Sequence, residues 1–190
     1  MPSTVYLNNE SVMYEQVIDF WFEEIEQASW WKKDEQFDAV LIERFSEIHN
    51  QASRCELFEW RSEPQGRLAE IIVLDQFSRN VFRGSALAFA NDAMSLTLSQ
   101  EAIACGADKS LTPVERTFLY MPFMHSESLL IHEIAMELYS ANGIQNNLDF
   151  EITHKRIIER FGRYPHRNKA LGRQSTSEEI EFLTQPGSSF

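Results

Sequence analysis

This chain has few residues that break, staple or span anything. Its 190 residues include 2 cysteines, 7 glycines and 6 prolines. Cys55 and Cys105 stand singly, without CxxC spacing, which argues against a disulfide framework or a thiolate metal site and leaves two reduced, packed thiols as the expectation. No apolar run approaches the length that crosses a bilayer, and MPSTVYLNNE has neither the basic segment nor the apolar stretch of a secretory signal. The expected location is the cytoplasm. Positive charge is scarce as well, with 17 Lys and Arg against 29 Asp and Glu. A phosphate-backbone binder draws its affinity from accumulated cations, so nucleic acid is not an expected partner, and an anionic membrane surface would repel the chain. With 43% hydrophobic and 12% aromatic residues there is ample material for a core, and residues 1–190 are expected to form one domain.

The sparse Gly and Pro fall where helices should start and stop. Ser11 suits the cap of a helix through about Gln27, with Val17, Ile18, Trp21 and Ile25 on one stripe. Asp34 suits the cap of the next, in which Phe37, Val40, Leu41, Phe45 and Ile48 recur at helical spacing. Pro64 fits the first turn of a helix through Phe77, and a further helix from about Ala88 should stop at Gly106. Thr112 and Glu115 make a capping box for a helix that Pro122 is expected to interrupt, and two more helices should close at Gly143 and Gly162. Thr176 and Glu179 box a last short helix. No segment alternates with a period of two, so the fold class is all-α, built from antiparallel helix pairs with short links and essentially no sheet.

Three polar stretches stand out against that pattern. RFGRYPHRN lies in the segment His154–Arg173, expected to pack back on the domain, which carries seven basic residues and one acid. Gly162, Pro165 and Asn168 account for its shape, and the helix dipole accounts for one or two of the cations. Arg160, Arg163, Arg167 and Arg173 remain, with His166. The planar guanidinium fork binds carboxylate or phosphate through two parallel bonds, while internal salt bridges to the chain's own carboxylates stand as an equal reading. In LDQFSRNVFR, Asp75, Arg79 and Arg83 share a helix face beside Gln76 and Asn80, which makes the stretch either a solvent-facing helix end or the wall of a pocket. YMPFMHSESLLIHE places His125, Ser126 and Glu127 at a new helix start after Pro122, where Ser126 can cap and free N–H groups favour anions.

Metal is not expected. His ligands on one helix normally lie four apart, whereas His125 and His132 are seven apart, and no spacing supports a set made of His125, His154, His166 and Glu127. An imidazole with an unperturbed pKa of about 6.5 can instead act as general acid or base. No Ser or Cys has a nucleophile setting such as GxSxG. His49 reads as a surface histidine, FWFEE and WWKKDEQFD as core packing, and Lys32 and Lys33 as the edge of a pocket.

Taken together, WWKKDEQFD, LDQFSRNVFRG, ERTFLYMPFMHSE and RFGRYPHRN…LGR resemble the bacterial family catalogued as domain of unknown function 924, from Val17 to about Leu183. The resemblance implies an all-helical, tetratricopeptide-like α-α superhelix, although the repeat consensus is not legible here, and it brings no activity, cofactor or substrate. Ser78 stands where the family pattern more often has Pro, which should straighten the helix end that aims Arg79. Two functions arise as expectations. The first is a pocket for a small anionic molecule: Arg79, Arg163 and Arg167 hold its carboxylate or phosphate, His125 or His166 moves a proton, and Asp75 or Glu127 orients the imidazole. The second is a tetratricopeptide-like module holding an acidic peptide or C-terminal carboxylate in a cationic groove. The first requires the three polar stretches to meet around a cavity. If the charged groups only tie the C-terminal segment down, neither holds.

Overall fold

The computed structural model describes residues 13–190, so Ser11, expected as the first cap, lies outside them. Among the described residues no strand occurs. The α-helices are α1 Glu15–Asp19, α2 Glu35–Ser53, α3 Pro64–Ile72, α4 Ser78–Val81, α5 Asp92–Ala104, α6 Pro113–Met124, α7 Leu129–Asn142, α8 Gln145–Phe161 and α9 Ser177–Phe182. Their ends follow local chemistry. Asp34 Oδ1 accepts the N–H groups of Gln36 and Phe37 at 2.8 and 3.2 Å, and the Thr112/Glu115 and Thr176/Glu179 boxes form in full. Gly162 ends α8 at φ 65°, a left-handed conformation in which a Cβ would be strained.

Helix α3 lies at the centre, against α1, α5 and α6, while α6, α7 and α8 pack in succession across short links. Its run Leu68 to Leu74, except for the carboxyl of Glu70, is apolar and wholly buried, as a helix surrounded on all sides requires. Burial of each such large side chain contributes about 1.5–3 kcal/mol. Gly66 is needed where α3 passes Trp60, because a Cβ there would lie 2.1 Å from the Trp60 carbonyl oxygen. Phe20, Trp21, Phe45, Phe77 and Phe118 meet edge-on or tilted at 4.9 to 6.3 Å in the middle of the core. No helix among the described residues is long and apolar enough to cross a membrane.

Several sequence expectations are corrected. Pro122 does not interrupt α6, because every side chain from Thr117 to Met124 is buried and that packing outweighs one missing N–H. His125 therefore caps the C-terminal end of α6 rather than starting α7, and Ser126 caps nothing helical, its Oγ accepting only the Ser128 N–H. Helix α3 continues through a π-helical turn, Val73–Phe77, into α4, which ends at Val81. The extra residue per turn and the early end remove Arg83 from the face shared by Asp75 and Arg79. The first helix does not reach Gln27: a π-helical turn ends it at Glu24, and Ile25 is extended. Val40 is exposed, and its place on the inner side of α2 is taken by Asp38 and His49, both buried through polar partners. His49 Nε2 lies 2.8 Å from Ser78 Oγ, so it is no surface histidine; Ser78 is itself buried and donates to the Leu74 carbonyl at 2.6 Å. Both cysteines are free and exposed rather than packed.

Candidate functional site

The π-helical turn carries Asp75 to the inner end of a small charged cluster, where its side chain is 1% exposed. Its Oδ1 lies 2.8 Å from His125 Nδ1 and 3.1 Å from Arg79 Nη1, and Oδ2 accepts from the Gln76 amide. Burial alone would raise the Asp75 carboxyl, but Arg79 and His125 outweigh it and bring it down to about 2. Burial also lowers His125, reinforced by the Arg79 charge and opposed by Asp75. His125 is thus a neutral imidazole whose Nδ1–H donates to a carboxylate. Its Nε2 is left unprotonated and without a protein partner among the described residues. A carboxylate that fixes the tautomer and a free second nitrogen are what a general base needs.

Arg167 joins this cluster from the C-terminal segment. Its Nη2 donates to the His125 carbonyl at 2.9 Å and its Nη1 to Asp92 Oδ2 at 3.1 Å, the oxygen that also accepts from Arg79 Nη2. The guanidinium lies over the rings of both Phe89 and Tyr164, 4.7 and 4.6 Å from Cζ to their centres. The three polar stretches therefore meet, with Asp92 accepting from two of them and the His125 carbonyl joining the third. Nothing in the sequence signals that role for Asp92, which reads as an ordinary acid in the first turn of α5.

Beside this junction lies a cavity of about 480 Å³. Gln76, Arg79, Asn80, Arg83, His125, His166 and Arg167 line it, joined by Lys32 and Lys33. Its apolar faces come from Trp30, Trp31, Phe89, Phe150 and Phe190, with Met121 and Met124. Five of the lining residues are cations and none is an acid, although the chain carries a net charge of −12. Trp21 and its phenylalanine neighbours are core as expected and Trp30 packs against them, but Trp31 is exposed at the cavity edge rather than core. Burial, with help from Arg167 and Lys33, pushes His166 down to about 3. His154 also lines the cavity and is pushed down to about 3, chiefly by burial. In the sequence it figures only in a metal set that no spacing supports, and nothing there signals a place in a cavity wall.

The other expected site residues are placed elsewhere. Glu127 accepts from Arg173 Nη1 and Nη2 at 2.6 and 2.8 Å and from the Tyr164 N–H at 2.8 Å, so it anchors the loop instead of orienting an imidazole. Arg160 pairs with Glu178, and Arg163 with Glu179 and the Gln174 carbonyl. Arg160, Arg163, Arg173 and Glu127 do not line the cavity. Arg83 does line it, but its fork is taken by Asp38, which also accepts from Asn80. Internal carboxylates occupy most of the guanidinium forks because acids outnumber bases in the chain as a whole. The cavity cations without an ion-pair partner among the described residues are Lys32 and Lys33. Arg163→Ala is accordingly expected to lower the midpoint of urea unfolding, since it strips a partner from Glu179. It should leave any ligand-induced thermal shift unchanged, and loss of that shift would return Arg163 to the site.

The family described as bacterial protein of unknown function (DUF924) matches residues 17–187. The solved structure of a protein of unknown function from Agrobacterium tumefaciens is similar at a TM-score of 0.85 and 37% sequence identity, covering 90% of this chain and 96% of the other. No curated protein matches.

Proposed function

We propose, from the premise that this chain belongs to the DUF924 family of bacterial proteins of unknown function, that the cavity binds a small anionic molecule and that His125 acts on it as a general base. The observation that carries this reading is the cavity wall itself, with five cations and no acid around a carboxylate-oriented, neutral imidazole. Asp75 holds the ring and its tautomer. Arg79 holds Asp75 and adds positive potential. Lys32 and Lys33 supply the charge that is not already neutralised by the protein. About 480 Å³ lies within the usual range of small-molecule sites. It would take only a few residues of a peptide, which favours this reading over a groove for an acidic peptide.

The test uses Lys33, which is exposed and carries no internal ion pair. In a thermal-shift screen of carboxylates and phosphates, a binder present at about 100 times its Kd stabilises the native state by about 2.7 kcal/mol, roughly 5–10 °C for a chain of this size. Lys33→Glu is expected to leave the unliganded melting temperature within about 1 °C and to remove most of that shift. An unchanged shift in the variant, or no anion that stabilises the wild type, would overturn the reading. For any compound found to turn over, His125→Gln should abolish turnover while binding persists.

A further inference from the structure

An anion site of the simplest kind would line itself with hydrogen-bond donors. The neutral polar groups of this cavity do the opposite. Gln76 spends its amide N–H on Asp75, Asn80 spends its own on Asp38, and Asn147 donates to Thr117 Oγ1, which itself donates to the Pro113 carbonyl. In each case the partner is one that accepts, so the orientation of the amide is determined and its carbonyl oxygen is the acceptor left over, alongside one unused amide N–H. Two of the three cavity imidazoles follow the same rule, while the third, His166, has no partner among the described residues at its buried Nδ1 and no fixed tautomer. His125 donates through Nδ1 to Asp75, and His154 donates through Nδ1 to the Phe150 carbonyl at 2.7 Å. With both rings neutral, the remaining Nε2 atoms are acceptors. None of these five leftover atoms has a protein partner among the described residues, and all five residues line the cavity.

The charge is limited as well. Three of the five cations are tied to Asp38, Asp75 and Asp92 just behind the wall, so the cavity holds an excess of about two positive charges. That suits one carboxylate or one phosphate and does not suit a polyphosphate. Trp31, Phe89 and Phe150 add apolar ring surface to the lining, against which the C–H groups of a saturated ring can pack. A complementary molecule therefore carries several hydroxyl donors, one anionic group and a compact ring.

Resting on the anion-site reading, we propose that the ligand is a sugar-like polyol bearing a single carboxylate or phosphate, with its hydroxyls donating to Gln76, Asn80, His125, Asn147 and His154. His154 and Asn147 are then the residues that select hydroxylated anions over bare ones. The selectivity arises because a buried acceptor left without a donor is costly, whereas one that is met contributes modestly.

Isothermal titration calorimetry of the full chain at pH 7.5 tests this, with glucuronate, glucose 6-phosphate, cyclohexanecarboxylate, inorganic phosphate and ATP as probes. The expected result is that glucuronate or glucose 6-phosphate binds at least tenfold tighter than cyclohexanecarboxylate or inorganic phosphate, respectively, and tighter than ATP. The first two probes decide between carboxylate and phosphate. His154→Phe keeps a ring against Tyr164 and Phe190 but removes the acceptor, and it should reduce the preference several-fold with cyclohexanecarboxylate binding unchanged. Asn147→Leu, in a less buried position, should do the same if the first variant folds poorly. Equal affinity for cyclohexanecarboxylate and glucuronate, with phosphate matching its sugar ester, would overturn the polyol proposal and leave the anion site standing. Absence of binding by every probe would overturn both.

Discussion

Between pH 7 and pH 5 the unfolding free energy is expected to fall by about 3–4 kcal/mol, most of it from two histidines. In the unfolded chain an imidazole takes up its proton near pH 6.5. In the folded protein burial keeps His154 and His166 neutral until about pH 3. Between those limits the unfolded state binds more protons, so stability rises with pH. The contribution is complete above pH 6.5 and is lost progressively as pH falls toward 3. At about 1.36 kcal/mol per pH unit for each ring, pH 5 costs about 2 kcal/mol from His154 and somewhat less from the partly exposed His166. His49 and His125, also lowered by burial, act in the same direction. Asp75 and Glu179, brought down to about 2 in the fold, add a second loss only below about pH 4. Urea unfolding at pH 7, 6 and 5 measures this directly. A flat profile would mean that the imidazoles are charged in the folded state, and the tautomer assignment for the cavity would fall with it.

Glu151→Ala is expected to lower stability by about 3–5 kcal/mol, a fall of roughly 10 °C or more in melting temperature by calorimetry. Glu151 and His132 are both completely buried, with His132 Nδ1 2.7 Å from Glu151 Oε1. The other ring nitrogen faces the Ser126 carbonyl at 2.9 Å and the Tyr164 hydroxyl at 3.2 Å, and that hydroxyl donates to the Met124 carbonyl. This chain of bonds runs from α8 through α7 to the turn after α6 and on to the C-terminal loop. Removing the carboxyl leaves an uncompensated buried imidazole at its centre and weakens the hold on Tyr164, one of the rings over which Arg167 lies. A loss below about 1 kcal/mol would show that the pair is not a structural anchor. Glu151→Gln, which keeps shape and one acceptor, should fall between the two.

The sequence is informative wherever the deciding physics is local. Helix starts at Asp34, Thr112 and Thr176 and stops at Gly143 and Gly162 depend on groups within a few residues, and they form as their chemistry requires. The all-α class rests on the same short-range periodicity. Pro122 misleads because its effect depends on its buried neighbours from Thr117 to Met124, which no local pattern reports. His49 misleads because its partner, Ser78, is on another helix.

For the site, the sequence by itself determined which residue types were available: an acidic chain with five of its twelve arginines between Arg156 and Arg173 and a few polar stretches between apolar ones. The tertiary structure alone decided which charges were spent and which were left. Arg163 and Arg173 met Glu179 and Glu127, whereas Arg167 reached Asp92 and His125, and Lys32 and Lys33 met no acid among the described residues. A charge is cancelled or kept by what lies within a few ångströms of it, and those neighbours come from parts of the chain as many as 75 residues apart.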